Sequence, residues 1–121
     1  MKLDTFTTAY IECALWSSTD ESTESGGYPL DKNYSLRDID ADTLTAMVAD
    51  CAKFQSDNWD DIAEDVKLAG YDFWLSRNGH GAGFFDGDWD EVGDKLQAIA
   101  AAYGEFNLYV GDDNQIYGYG G

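Results

Sequence analysis

The chain has 121 residues, 44% of them hydrophobic, with four Trp, eight Tyr and six Phe; that is enough for one domain, residues 1–121, with an aromatic core, and too little for two. Twenty-four Asp and Glu face seven Lys and Arg, for a net charge of −17, and the acids divide evenly between residues 1–60 (12 acids, 4 bases) and 61–121 (12 acids, 3 bases). A field of that sign over the whole fold repels nucleic acid and anionic membrane, which removes direct binders of either from the function classes, and it attracts basic partners.

The opening "MKLDTFTTAY" lacks the apolar run of a signal peptide, and no stretch approaches the roughly 20 apolar residues of a membrane span, so a cytoplasmic location is expected. Asp4 or Thr5 is placed to cap a first helix, in which Phe6, Tyr10, Cys13 and Trp16 form an apolar stripe and which ends near Ser17. Ser18 to Tyr34, with the single proline Pro29, reads as an exposed loop. Asp40 or Asp42 caps the next helix, where Leu44, Val48, Cys51 and Phe54 or Gln55 keep the 3.6-residue period. Trp59, Ile62, Val66 and Ala69 continue it, as one helix or as two joined near Asn58, with Gly70 as the stop.

"YDFWLSR" alternates like a strand, and Asn78-Gly79 is a preferred hairpin turn, so the first hairpin is expected at about 71–85. Gly81 and Gly83 would then leave a flat track on the returning strand for a ring or another backbone. Asp88 or Asp90 caps a last helix with Val92, Leu96, Ile99 and Tyr103 on its inner face, ended by Gly104, and a second hairpin with the turn "GDDN" follows at about 105–119. The expected fold class is α+β, with helices packed on one face of a small antiparallel sheet made of the two hairpins.

The most motif-like stretch is "SRNGHGAGFFDGDWDE", residues 76–91. Its glycines read G-x-G-x-G rather than the G-x-G-x-x-G of a nucleotide fingerprint, and no base lies between Arg77 and Lys95 to hold a phosphate. Asp86, Asp88 and Asp90 match the first ligand positions of an EF-hand, but Glu91 stands where glycine is needed and Gln97 where glutamate is. His80 is the sole candidate general base near neutral pH, and Ser76 lacks the setting of a nucleophile. Cys13 and Cys51 read as buried thiols of a reducing compartment rather than a disulfide or metal pair. No catalytic residue, no metal and no cofactor is expected.

The acids themselves carry the remaining signal. Asp50, Asp57, Asp61 and Glu64 fall on about one helical face with Asp60 and Asp65 alongside, although like charges so spaced weaken a helix. Asp86, Asp88, Asp90, Glu91 and Asp94 form a second acidic run. Several acidic elements side by side approach the charge density of a nucleic-acid groove. Salt adaptation is a second reading of the same composition, which has 18 Asp, 6 Glu and only five Lys.

The pieces "DFWLSRNGHGAGFFDG" and "AYGEFNLYVGDDNQIYGYG", with the weaker "AYIECALWSSTDE" and "PLDKNYSLRDI", resemble a family of small acidic proteins encoded by phages and prophages. The resemblance covers most of the chain and carries no activity and no catalytic residues. It implies a setting, the cytoplasm of a bacterial host, in which such proteins inhibit nucleic-acid machinery by presenting a DNA-like surface. The leading expectation is therefore a DNA mimic, for counter-defence or host takeover, whose partner is a basic nucleic-acid-binding host protein met by the eleven acids just named. The runner-up is an interaction or assembly module in which the "NGHGAGFF" hairpin, with Trp74 and Phe84, forms a homodimer or partner edge. A metal-assisted enzyme using Asp86, Asp88, Asp90 and His80 comes third.

Overall fold

A computed structural model describes residues 3–20, 27–79 and 82–120. Helix α1 spans Thr5–Ser17, and the Asp4 carboxylate caps it by accepting the Thr7 N–H at 2.8 Å. Eight of its 13 residues are buried, so α1 is an interior helix with one open stripe. Trp16 belongs to that stripe at 63% exposure. It lies four residues after Glu12 as well as three after Cys13, and the polar face takes it.

Thr19–Asp20 (β1) and Tyr28–Pro29 (β2) pair antiparallel as a minimal ladder; Glu21 to Gly26, the middle of the expected loop, lie outside the described residues. Helix α2, Ala41–Ile62, begins where the Asp40 carboxylate accepts the Thr43 N–H at 3.2 Å. Its buried side is Thr43, Met47, Cys51, Phe54, Asn58 and Ile62, with a kink at Asn58 (φ −129°, ψ 17°). The Asn58 amide donates to the Phe54 carbonyl at 2.9 Å, filling the ladder where the backbone departs from it. A 3-10 turn, Ala63–Asp65, leads into α3, Val66–Arg77.

Helix α3 replaces the expected first strand. "YDFWLSR" alternates because α3 is buried on nearly every side (Ala69, Gly70, Asp72, Phe73, Trp74, Ser76 and Arg77), and a helix without a solvent face loses the period that would identify it. Gly70 does not stop it either. A Cβ there would sit 2.3 Å from the Phe6 carbonyl oxygen and 2.9 Å from the Ala9 Cβ, so this glycine lets the α3 backbone come up against the backbone of α1. Asn78-Gly79 ends the helix instead of turning a hairpin: Asn78 is the C-cap (φ −98°), and only Gly79 has positive φ (+65°). His80 and Gly81 lie outside the described residues, and Phe84–Asp86 is a 3-10 turn rather than a returning strand.

A further 3-10 turn, Asp90–Val92, precedes α4, Gly93–Ala102. The N-cap of α4 is Val92, without a side-chain bond, so neither Asp88 nor Asp90 caps it. Gly93 sits there because a Cβ would lie 2.6 Å from the Phe84 carbonyl oxygen. The second hairpin is as expected: β3 (Phe106–Val110) pairs with β4 (Ile116–Gly120) from Phe106↔Gly120 to Val110↔Ile116. Its edge docks on the start of α2, where the Asp40 N–H donates to the Ile116 carbonyl at 2.8 Å and the Gly118 N–H to Thr43 Oγ1 at 3.1 Å.

The fold is α+β, but its strands form two separate two-stranded sheets rather than one sheet under helices. The core is a stack of rings: Phe54 lies 4.3 Å from Phe73, 5.8 Å from Phe6 and 5.6 Å from Phe84 between centroids. No helix among the described residues is long and apolar enough to cross a membrane.

Gly70→Ala should expose the close approach. Helix propensity favours alanine by about 1 kcal/mol, whereas overpacking against a backbone carbonyl costs about 2–4 kcal/mol. The expected result is a net loss of stability and a Tm lower by about 5–10 °C in thermal unfolding; an unchanged or raised Tm would contradict it.

Candidate acidic interface

The motif-like stretch resolves into joinery. Asp72 accepts the Trp89 indole N–H at 2.7 Å, Trp74 donates its own to Ser17 Oγ at 2.8 Å, and Ser76 Oγ accepts the Phe84 N–H at 3.0 Å. Asn78 accepts the Phe106 N–H at 2.8 Å and donates to the Trp74 carbonyl at 2.9 Å. Gly83 (φ +139°) crosses Ser76 so closely that a Cβ would lie 2.2 Å from its Oγ. The expected close approach therefore occurs at Gly83, against a hydroxyl on a helix; Gly81 is outside the described residues.

Arg77 is the centre of this joinery. It is 5% exposed, yet its guanidinium donates to Asp50 at 2.9 Å, to the Tyr10 hydroxyl at 3.0 Å, and to the Gly104 and Tyr103 carbonyls at 2.8 and 3.2 Å. Burial works against its charge, and the Tyr10 and Asp50 oxygens more than offset that, so its pKa rises above the ordinary arginine value. Tyr10 is driven well above the usual phenol range by burial, which the nearby Arg77 only partly opposes.

These contacts sort the eleven expected interface acids. Asp50 leaves the set: it is half-buried against Arg77 and serves the fold. The kink at Asn58 and the 3-10 turn at 63–65 also break the single helical face on which Asp50, Asp57, Asp61 and Glu64 were expected to align. Asp57, Asp60, Glu64 and Asp65 are exposed and Asp61 half-buried. Asp65 also caps α3 through the Leu68 N–H at 3.2 Å. On the other run, Asp88, Asp90, Glu91 and Asp94 are exposed, with Asp90 at φ 49°, while the Asp86 side chain is outside the described part.

Lys95 ties α4 to the acids at the end of α2. Its ammonium donates to Asp61 at 2.7 Å, and it lies with Asp57, Asp60, Asp61 and Trp59 around a depression of about 310 Å³. Lys95 follows Asp94 directly and Glu91 by four residues in sequence, and on α2 a second cation, Lys53, pairs with Asp57 at 2.6 Å. Asp90, Glu91 and Asp94 also stand near the positive end of α4, where carboxylates are favoured. Trp59, half-exposed, lines the depression with Lys95, Asp57, Asp60 and Asp61. Among the described residues no group of three or more His, Cys, Asp and Glu is placed to hold a metal ion.

Trp74 (2% exposed) and Phe84 (0%) are core residues, so they do not form the partner edge expected of a "NGHGAGFF" hairpin. Cys13 and Cys51 are free, buried thiols. Burial pushes Cys13 up to about 12, helped by the Asp72 charge, and drives Cys51 higher still despite the Thr7 hydroxyl. Sequence reasoning missed the open stripe of α1, where Glu12 and Trp16 stand beside Tyr71; the i, i+4 spacing of Thr8, Glu12 and Trp16 is the signal that identifies it. The chain matches no family model, no curated protein and no solved structure.

Arg77→Met should destabilise the protein by about 3–5 kcal/mol by leaving Asp50 and two carbonyls without their donor, and Arg77→Lys should restore less than half of that, since one ammonium cannot span the same oxygens. Chemical denaturation of the three proteins decides it, and full recovery by lysine would overturn the hub assignment. The thiols make a separate prediction. At pH 8 both should resist a maleimide until the chain is unfolded. Because the folded Cys13 value lies near 12 against an ordinary 9.0, its contribution to stability is complete below pH 9 and lost as pH rises towards 12; stability rising across that window would refute the assignment.

Proposed function

We propose that the protein is an acidic inhibitor that occupies the basic nucleic-acid-binding surface of another protein in place of DNA. The observation that supports this reading best is the end of α2, where Asp57, Asp60 and the half-buried Asp61 gather around Lys95 on a packed scaffold, with Asp88, Asp90, Glu91 and Asp94 exposed as well. Ordinary solubility needs a net charge of magnitude roughly 2–8, so −17 calls for another cause. Carboxylates held on helix ends keep fixed positions, and a binding cleft built for phosphates meets them without first ordering a flexible tail. The setting implied by the phage resemblance makes a host nucleic-acid enzyme the target class.

The experiment uses the tagged full chain as bait in bacterial lysate cleared of nucleic acid. Captured proteins should be released by a 20-base-pair duplex and should be lost as salt rises from about 50 to 300 mM, as counterion-linked binding requires. Neutralising four exposed acids together, Asp60→Asn, Glu64→Gln, Glu91→Gln and Asp94→Asn, should weaken capture by about tenfold or more at low salt while leaving the melting curve unchanged or raised. Capture that is indifferent to duplex, salt and these substitutions would refute the mimic reading.

A further inference from the structure

The open stripe of α1 is the floor of a second surface, which shares no lining residue with the α2–α4 edge. Thr8, Glu12 and Trp16 run along it, with α3 on one side and the 3-10 turn Leu30–Lys32 on the other. On the α3 side a groove of about 490 Å³ is lined by Glu12, Cys13, Trp16, Asp31, Tyr71 and Leu75. On the other side a groove of about 340 Å³ is walled by Ile11, Leu15, Tyr34 and Leu36 and shares Glu12 and Asp31 with the first. Both volumes are in the range of grooves that enclose a small ligand or one large side chain.

The chemistry of the larger groove is specific. Among the described residues its only charged groups are two carboxylates, and its other walls are an indole, a phenol, a leucine and a thiol held protonated by burial. Trp16, at 63%, is the most exposed of the large hydrophobic side chains. The Tyr71 hydroxyl donates to Glu12 at 3.3 Å, which fixes the carboxylate at the rim and leaves it further acceptor capacity. Neither Lys32 nor Lys67 lines the groove: Lys32 sits 3.9 Å over the Tyr28 ring, and Lys67 lines a depression at the Thr5 end of α1 that shares Glu12 with the groove.

An aromatic face in a groove lined by two carboxylates is a receptor for a planar cation. Guanidinium stacks on indole and presents its N–H fork to carboxylates, whereas a compact, strongly hydrated ammonium does neither well. From the charge complementarity, the ring and the groove, we infer that the α1–α3 groove binds an arginine side chain of a partner protein, with Trp16 and Tyr71 as its walls and Glu12 and Asp31 as its counter-ions. This goes beyond the mimic reading and does not need it: a partner can dock an arginine here whether or not its nucleic-acid site is what the other edge covers.

The probes are tetra-arginine and tetra-lysine peptides of equal charge, titrated at about 150 mM salt, where charges beyond roughly 8 Å are screened, and followed by NMR and calorimetry. The arginine peptide should bind at least about threefold tighter than the lysine peptide and shift the Trp16 indole N–H and the Tyr71 ring. Glu12→Gln with Asp31→Asn, and separately Trp16→Ala, should each weaken it by about tenfold; these exposed side chains can be changed without touching the core, as thermal melts of the variants verify. Equal binding of the two peptides, shifts confined to the α2–α4 edge, or insensitivity to the groove substitutions would overturn the inference. The four-acid variant of the other edge should keep the arginine preference, so failure of one reading is distinguishable from failure of the other.

Discussion

One buried guanidinium sets the geometry of the rest. Arg77 extends from the last turn of α3 and is held by Tyr10 of α1, by Asp50 of α2 and by the two carbonyls that close α4, while the rings of Phe73, Tyr103 and Phe106 stand 5.5–5.7 Å from it. Taking a cation out of water costs several kcal/mol, and a buried ion pair is poor evidence of net stability. Its value is that few arrangements satisfy so many donors at once. With Arg77 placed, the middles of α1 and α2, the ends of α3 and α4 and the entry to β3 have one way to meet. The surplus of negative charge around the molecule lowers the cost of burying this one positive group.

The side chains around Arg77 extend the same logic. Asp72, Trp74, Ser76 and Asn78 lie on one short helix, and each bonds a different neighbour: Trp89 before α4, Ser17 at the end of α1, Phe84 in the connecting turn, and Phe106 in β3. Each bond satisfies a polar group that would otherwise be costly to bury. That is why the stretch 76–91, which Ser76 and Asn78 open, reads as a functional motif. Polar residues that must be placed to within a fraction of an ångström, among glycines that permit close approach, are required equally by a catalytic turn and by a structural junction.

The legible parts of the fold were those with local causes. The caps at Asp4 and Asp40, the end of α1, the break at Asn58 and the hairpin at Asn114 each follow from residues within a few positions of the event. The illegible parts had causes distant in sequence. Gly70 is helical because of what Phe6 does across the interface; "YDFWLSR" is helical because α3 is enclosed, which erases amphipathic spacing. Asn-Gly supplies a residue of positive φ but not the choice between a hairpin and a helix end. Asp50 shows the same limit in the acidic surface, because helical spacing gives a face and only the fold says that this face holds Arg77.

On the proposed reading, the acidic edge and the α1 groove divide the work of recognition between them. Among the described residues three ion pairs offset the acids, and two of these, Lys53–Asp57 and Lys95–Asp61, lie at the surface, where such pairs contribute little. The free protein therefore retains most of its self-repulsion and is held folded by its ring-packed core. A basic partner relieves that repulsion as it approaches, which favours fast encounter with many cationic surfaces but does not choose among them. Choice requires contacts that depend on shape. A ring and two carboxylates that distinguish guanidinium from ammonium supply such a contact, on a helix whose other sides are locked in the core, so that little ordering remains to oppose binding.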